Sequence, residues 1–252
     1  MAKGKHRQRV TIVAGLSAVV LLVLGGLLNG FVGSIADRIL GKATASPPLH
    51  VELSSDPEPY RAFSVIVPQP PSALGSPVLG NSGTQIMRWA DSKGGAAADS
   101  VGFEIIIYGQ ADHPLIIDGL QPKQLHCSRP AGGTYFPPVG AGSLPQRPLA
   151  IDLDQASPVG KPEPNDENGE WSFPLQVSAS DAERIYVHAS SNKSDCSFRL
   201  AVSYRNGGRK GTQEINDHGD PFRVVASSAA NWTSRWVISG SQVTIAQRPK
   251  PS

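Results

Sequence analysis

The chain has 252 residues, with 23 Lys/Arg against 21 Asp/Glu for a formal charge of +2, and only two cysteines. Four of the cations, Lys3, Lys5, Arg7 and Arg9, lie in the first nine residues, which leaves a nearly neutral remainder. That balance excludes the concentrated basic field that nucleic-acid binding requires, so no nucleic-acid partner is expected.

Residues 1–9 form a basic tail too short to bury a core. Val10 to Val32 then runs without a single charge (VTIVAGLSAVVLLVLGGLLNGFV). As a helix this segment would be about 34 Å long, enough to cross a hydrocarbon core of about 30 Å with modest tilt. Because Lys and Arg are held on the cytoplasmic side, the spacing of charges predicts a single-pass protein with its N-terminus inside and everything after residue 32 outside. A cleaved secretory signal is the competing reading, with Ala43-Thr44-Ala45 as its cleavage site. Against it stand the length of the apolar run and the charges Asp37, Arg38 and Lys42 that separate it from that site. Both readings deliver the same exported domain. Within the span, Gly26, Gly30 and Ser34 make a small-x-x-x-small ladder with Asn29 beside it, a pattern suited to close helix–helix contact. The contact expected is with a membrane-protein partner or with a second copy, as a homodimer through the span.

Residues 33–48 are read as the end of that helix and a stalk, stopped by Gly41 and Pro47-Pro48. From 49 to 248 the dominant period is two, the mark of strands with one buried and one solvated face. In chain order the expected strands are Leu49–Leu53, Arg61–Val67, Thr84–Trp89, Val101–Tyr108, Pro114–Ile117, Leu149–Leu153, Trp171–Val177, Ile185–Ala189, Cys196–Tyr204, Phe222–Val225, Trp236–Ile238 and Val243–Ile245. Val101–Tyr108 (VGFEIIIY) is apolar on both faces and reads as central. Pro174 suits an edge strand. Asn168-Gly169, Asn206-Gly207-Gly208 and Ser190 to Asp195 read as turns joining antiparallel strands. Pro68–Gly83 and Gln155–Glu170 read as long loops, no helix of comparable length is expected outside the membrane, and residues 249–252 are a tail. The fold class expected is therefore mainly β: one transmembrane helix, then an antiparallel sandwich-like domain in a single unit. Cys127 and Cys196 are expected to form a disulfide in an oxidising compartment, closing a loop of about 70 residues.

No catalytic constellation emerges. The only Gly-x-Ser string, Gly15-Leu16-Ser17, lies in the apolar run and lacks the second glycine of a nucleophile elbow. No two of the six histidines have the i, i+4 spacing of helical zinc ligands, so neither a metal nor a cofactor is expected. Asn165 to Glu170 (NDENGE) has the oxygen-rich composition of a calcium loop, but the first and twelfth EF-hand positions fall on Pro164 and Leu175. Asp152 and Asp154 alternate onto one strand face, where two solvated carboxylates are the ordinary case. Of the four tryptophans, Trp171 reads as core, while Trp232 and Trp236 are the better candidates for exposure. Asn192-Lys193-Ser194 and Asn231-Trp232-Thr233 fit the glycosylation sequon.

The strings PLIIDGLQPKQL (114–125), IDLD (151–154), DCSFRLAVSY (195–204) and GGRKGTQEINDHGDPFRV (207–224), in a chain with one N-terminal span, resemble uncharacterised single-pass membrane proteins of actinobacteria. The resemblance implies the same architecture and no activity. The function expected is a membrane-anchored binding or interaction module that presents sandwich loops to a protein or cell-envelope ligand. The alternative is an accessory subunit docking through its span, and an exported enzyme ranks third.

Overall fold

The structure is a computed structural model that describes residues 48–54, 63–75, 83–110, 114–139, 147–164, 169–230, 232–239 and 242–247. The span over 10–32 and its ladder of Gly26, Asn29, Gly30 and Ser34 lie outside these residues. Among the described residues no helix is long and apolar enough to cross a membrane.

The described chain is mainly β. Its strands are β1 (Leu49–Leu53), β2 (Phe63–Val67), β3 (Ala96–Ala98), β4 (Ser100–Gly109), β5 (Leu115–Ser128), β6 (Gly133–Val139), β7 (Pro148–Asp152) and β8 (Lys161–Pro162). They continue with β9 (Leu175–Val177), β10 (Glu183–Ser190), β11 (Asp195–Asn206), β12 (Arg209–Ile215), β13 (Phe222–Val225), β14 (Trp232–Ser239) and β15 (Gln242–Gln247). Two short helices, α1 (Pro71–Leu74) and α2 (Gly83–Asp91), fall between β2 and β3. Five strands form one sheet in the order β1-β4-β10-β7-β8. Ten form the other, ordered β15-β14-β6-β2-β3-β13-β11-β5-β9 with β12 also paired to β11. Pairing is antiparallel except at β7–β10, β3–β13 and β6–β14, which are parallel.

Period-two alternation builds the main core. On β4, Phe103, Ile105 and Ile107 turn inward, as do Ile185, Val187 and Ala189 on β10. From the larger sheet they meet Cys196, Phe198, Leu200 and Val202 of β11 together with Phe222 and Val224 of β13. The rings of Phe103 and Phe222 stack across this core with centroids 4.1 Å apart. Ile105, Ile107, Ile185, Phe198 and Leu200 are fully buried, and each such burial contributes about 1.5–3 kcal/mol. β4 has a strand on either side, matching its expected central place.

The larger sheet continues past this core, and its extension supports two smaller clusters. One face of β2, β6 and β14 carries Val65, Val67, Phe136 and Trp236 beneath Leu74 of α1 and Ala90, Ile86, Met87 and Trp89 of α2. The opposite face joins Ile66, Ala96, Ala98, Val225 and Ala230, with Tyr135 and Trp232 against them. The residues described from Pro48 onward belong to one compact unit.

Several expectations are corrected. Thr84–Trp89 is helix, because Ile86, Met87 and Ala90 share a face at i, i+3 and i+4 spacing and bury it on the sheet. That helix ends in a Schellman motif: the Gly95 N–H donates to the Ala90 carbonyl, the Gly94 N–H to that of Asp91, and Gly94 takes φ +73°. Of Trp171–Val177 only Leu175–Val177 pairs as a strand, at the sheet edge, with Pro174 just outside it. Ser190 to Asp195 joins β10 of one sheet to β11 of the other, so it is a crossing between layers and not a hairpin. Asn206-Gly207-Gly208 does turn β11 into its antiparallel neighbour β12. The stretch Pro68–Gly83 contains α1, and Gln155–Glu170 contains β8. Strands β3, β6 and β12 were not anticipated.

Candidate functional site

The parity that sends Phe103, Ile105 and Ile107 into the core turns Glu104, Ile106 and Tyr108 to the other side of the five-stranded sheet. The same rule on β10 turns out Arg184, Tyr186 and His188, and on β1 His50 and Glu52. All of these side chains are half-buried or exposed. Strand register brings them together: His50 lies opposite Tyr108, Arg184 opposite Ile106, and Tyr186 opposite Glu104.

At one side of this face the His50 and Tyr108 rings lie 4.8 Å apart, and His50 Nε2 is 2.9 Å from Glu52 Oε1. The Tyr108 hydroxyl donates to the Glu52 carboxylate. Hydrogen bonds from Tyr108 and His50 lower the Glu52 pKa, and the bond to Glu52 pushes the Tyr108 phenol up to about 12. In the middle, the Arg184 guanidinium donates to Glu104 at 2.8 Å. Beyond it Tyr186 lies across Gly102, where a Cβ would collide with the tyrosine ring. The result is a row of aromatic rings interleaved with one carboxylate–hydroxyl pair and one ion pair, a chemistry suited to stacking and hydrogen bonding.

The residues singled out from the sequence fall mostly elsewhere. Cys127 and Cys196 form a disulfide; they sit directly opposite on β5 and β11, with Cα atoms 4.1 Å apart. Cys196 is fully buried and Cys127, toward the exposed end of β5, is accessible to solvent. Asp152 and Asp154 do not share a strand face, because Asp154 lies in the turn past the end of β7. Asp152 closes β7 and accepts from the Asp154 N–H and from Gln155 Nε2, while Asp154 accepts from Ser191 Oγ at 2.8 Å and the Asn192 N–H at 2.7 Å. Those bonds pin the crossing between the sheets, and Ser191 Oγ in turn accepts the Ser194 N–H. Trp171 is half-buried; it donates to the Pro148 carbonyl and lies 6.0 Å below the Arg147 guanidinium. Trp236, expected to be exposed, is only 7% exposed because α2 covers it. Trp232 is half-buried and donates to the Ser227 carbonyl. Asn192 of the first sequon is exposed, whereas Asn231 and residues 165–168 of the acidic stretch lie outside the described residues. Among the described residues no three His, Cys, Asp or Glu side chains group as metal ligands would.

Sequence reasoning missed the outer face of the five-stranded sheet. Its signal was present: in VGFEIIIY and ERIYVHAS the positions of non-core parity hold Tyr and His where plain solvation would ask only for charge. Compared with family models, with curated proteins and with solved structures, the chain gives no match.

Proposed function

We propose that this protein is a membrane-anchored, extracytoplasmic binding module whose β-sandwich engages a hydroxyl-rich cell-envelope ligand through the outer face of its five-stranded sheet. The apolar run over 10–32 and the basic tail before it support the anchor and its orientation. The Cys127–Cys196 bond supports an oxidising compartment. The observation that carries the binding reading is the row of His50, Tyr108, Tyr186 and His188, half-exposed rings that the core does not need, with Glu52, Glu104 and Arg184 between them to fix polar groups. The test is retention of the full-length protein on isolated envelope polysaccharide. The wild type should be retained and the double variant Tyr108→Ala/Tyr186→Ala released; equal retention of both, or none of either, removes the reading.

A second reading, an accessory subunit docking through the bilayer, is favoured by Gly26, Asn29, Gly30 and Ser34. It expects Gly26→Leu/Gly30→Leu to abolish co-purification of a membrane partner while leaving polysaccharide retention unchanged.

A further inference from the structure

β15 ends the ten-stranded sheet and, among the described residues, pairs only with β14. Among the described residues its outer edge therefore has no strand to pair its N–H and C=O groups, and natural sheets normally blunt such an edge with charge, proline or brevity. The other ends follow that practice: β1 carries His50 and Glu52, β8 is Lys161-Pro162, and β9 has three residues. β15 (QVTIAQ) has six residues, no charge and no proline. Ile245 on it is 50% exposed, and the other exposed large hydrophobic among the described residues is Val159. Register places Ile245 directly opposite Trp236, hence on the face that α2 covers and at the rim of the Trp236, Phe136 and Trp89 cluster.

We infer that this edge pairs with the β15 of a second copy, antiparallel and centred on Ile245. The occupant follows from the composition. An uncharged strand can lie opposite itself without like-charge repulsion, and a second Ile245 extends the apolar rim that the first leaves open. Symmetry sets the register. Directly opposite pairs alternate between hydrogen-bonded and non-bonded types, so a two-fold axis must pass between a residue and its own copy. Two residues separate Ser239 from Gln242, the closing pair of the β14–β15 hairpin, so Val243, Ile245 and Gln247 turn their backbone groups outward. Centring on Ile245 places Val243 opposite Gln247 and Thr244 opposite Ala246, and joins the copies by about six backbone hydrogen bonds.

The test uses the full-length protein in its membrane. Both native cysteines are in the disulfide and none is free, so an introduced cysteine is the sole reactive thiol. Mild oxidation should convert most of the Ile245→Cys variant to a covalent dimer and leave Val159→Cys monomeric. In detergent, Ile245→Lys should weaken dimerisation of a Gly26→Leu/Gly30→Leu background at least tenfold, whereas Ile245→Val should not change it. An Ile245→Cys variant that stays monomeric, equal cross-linking at Val159, or a dimer indifferent to Ile245→Lys would each overturn the edge pairing. Polysaccharide retention by a monomer would leave the binding reading standing on its own.

Discussion

Removing the Cys127–Cys196 bond isolates one contribution to stability. The closed loop has a sequence separation of 69, for which the chain-entropy relation predicts about 4 kcal/mol at 25 °C. The native side of the balance should change little, because β5 and β11 stay paired over positions on both sides of the bridge, from Asp195–Ser128 to Arg205–Ile116. Alanine at Cys196, which is fully buried, adds a cavity cost of order 1 kcal/mol or less. For a folded part of about 200 residues, 4–5 kcal/mol corresponds to a fall in Tm of about 10 °C. The assay is urea unfolding of the full-length protein in detergent, wild type against Cys127→Ala/Cys196→Ala, followed by tryptophan fluorescence. The midpoint should fall, and the slope should rise as the unfolded chain loses its cross-link and exposes more surface. A loss below about 1 kcal/mol would refute the reasoning, since it would mean that the strand pairing or residual structure already restricts the unfolded chain as strongly as the bond does.

Phe198 is fully buried and touches Phe222, so Phe198→Ala should cost about 3–5 kcal/mol in the same urea experiment, while the exposed Val159→Ala should stay within about 0.5 kcal/mol. The Tyr108 phenol, pushed up to about 12, favours the folded state below its unfolded value near 10 and loses that contribution as pH rises through about 12. In an ultraviolet difference titration Tyr108 should therefore titrate late, as should Tyr135, whose phenol burial pushes up, and Glu52→Gln should bring down Tyr108 alone. Glu52 runs the opposite way: its lowered pKa contributes stability above the usual carboxylate range that is lost on acidification through the folded value, and Tyr108→Phe should shrink that acid loss.

Strands whose parity alone sets their burial were legible. Leu49–Leu53 and Phe222–Val225 match their expected bounds, and Val101–Tyr108, Ile185–Ala189 and Cys196–Tyr204 differ only by a few end residues. Gly133–Val139 and Arg209–Ile215 were not legible, since paired prolines and a polar composition suppress the alternation, and both strands exist because neighbours hydrogen-bond to them. Thr84–Trp89 reads as a strand because six residues carry too few turns to separate period 2 from 3.6, and the signal for helix lies beyond them in the Lys93-Gly94-Gly95 stop. Asp154 reads as a solvated carboxylate in the sequence because its partners, Ser191 and Asn192, lie nearly 40 residues away along the chain.

By itself the sequence determined the β class, the inward residues of the long strands and the availability of one disulfide, because local alternation and composition encode burial directly. Which strands became neighbours, where pairing turned parallel, and that the outward rings of β1, β4 and β10 converge on one face were decided only by the tertiary structure. Strand register is a long-range choice made by the shared core, and no short stretch of chain contains it.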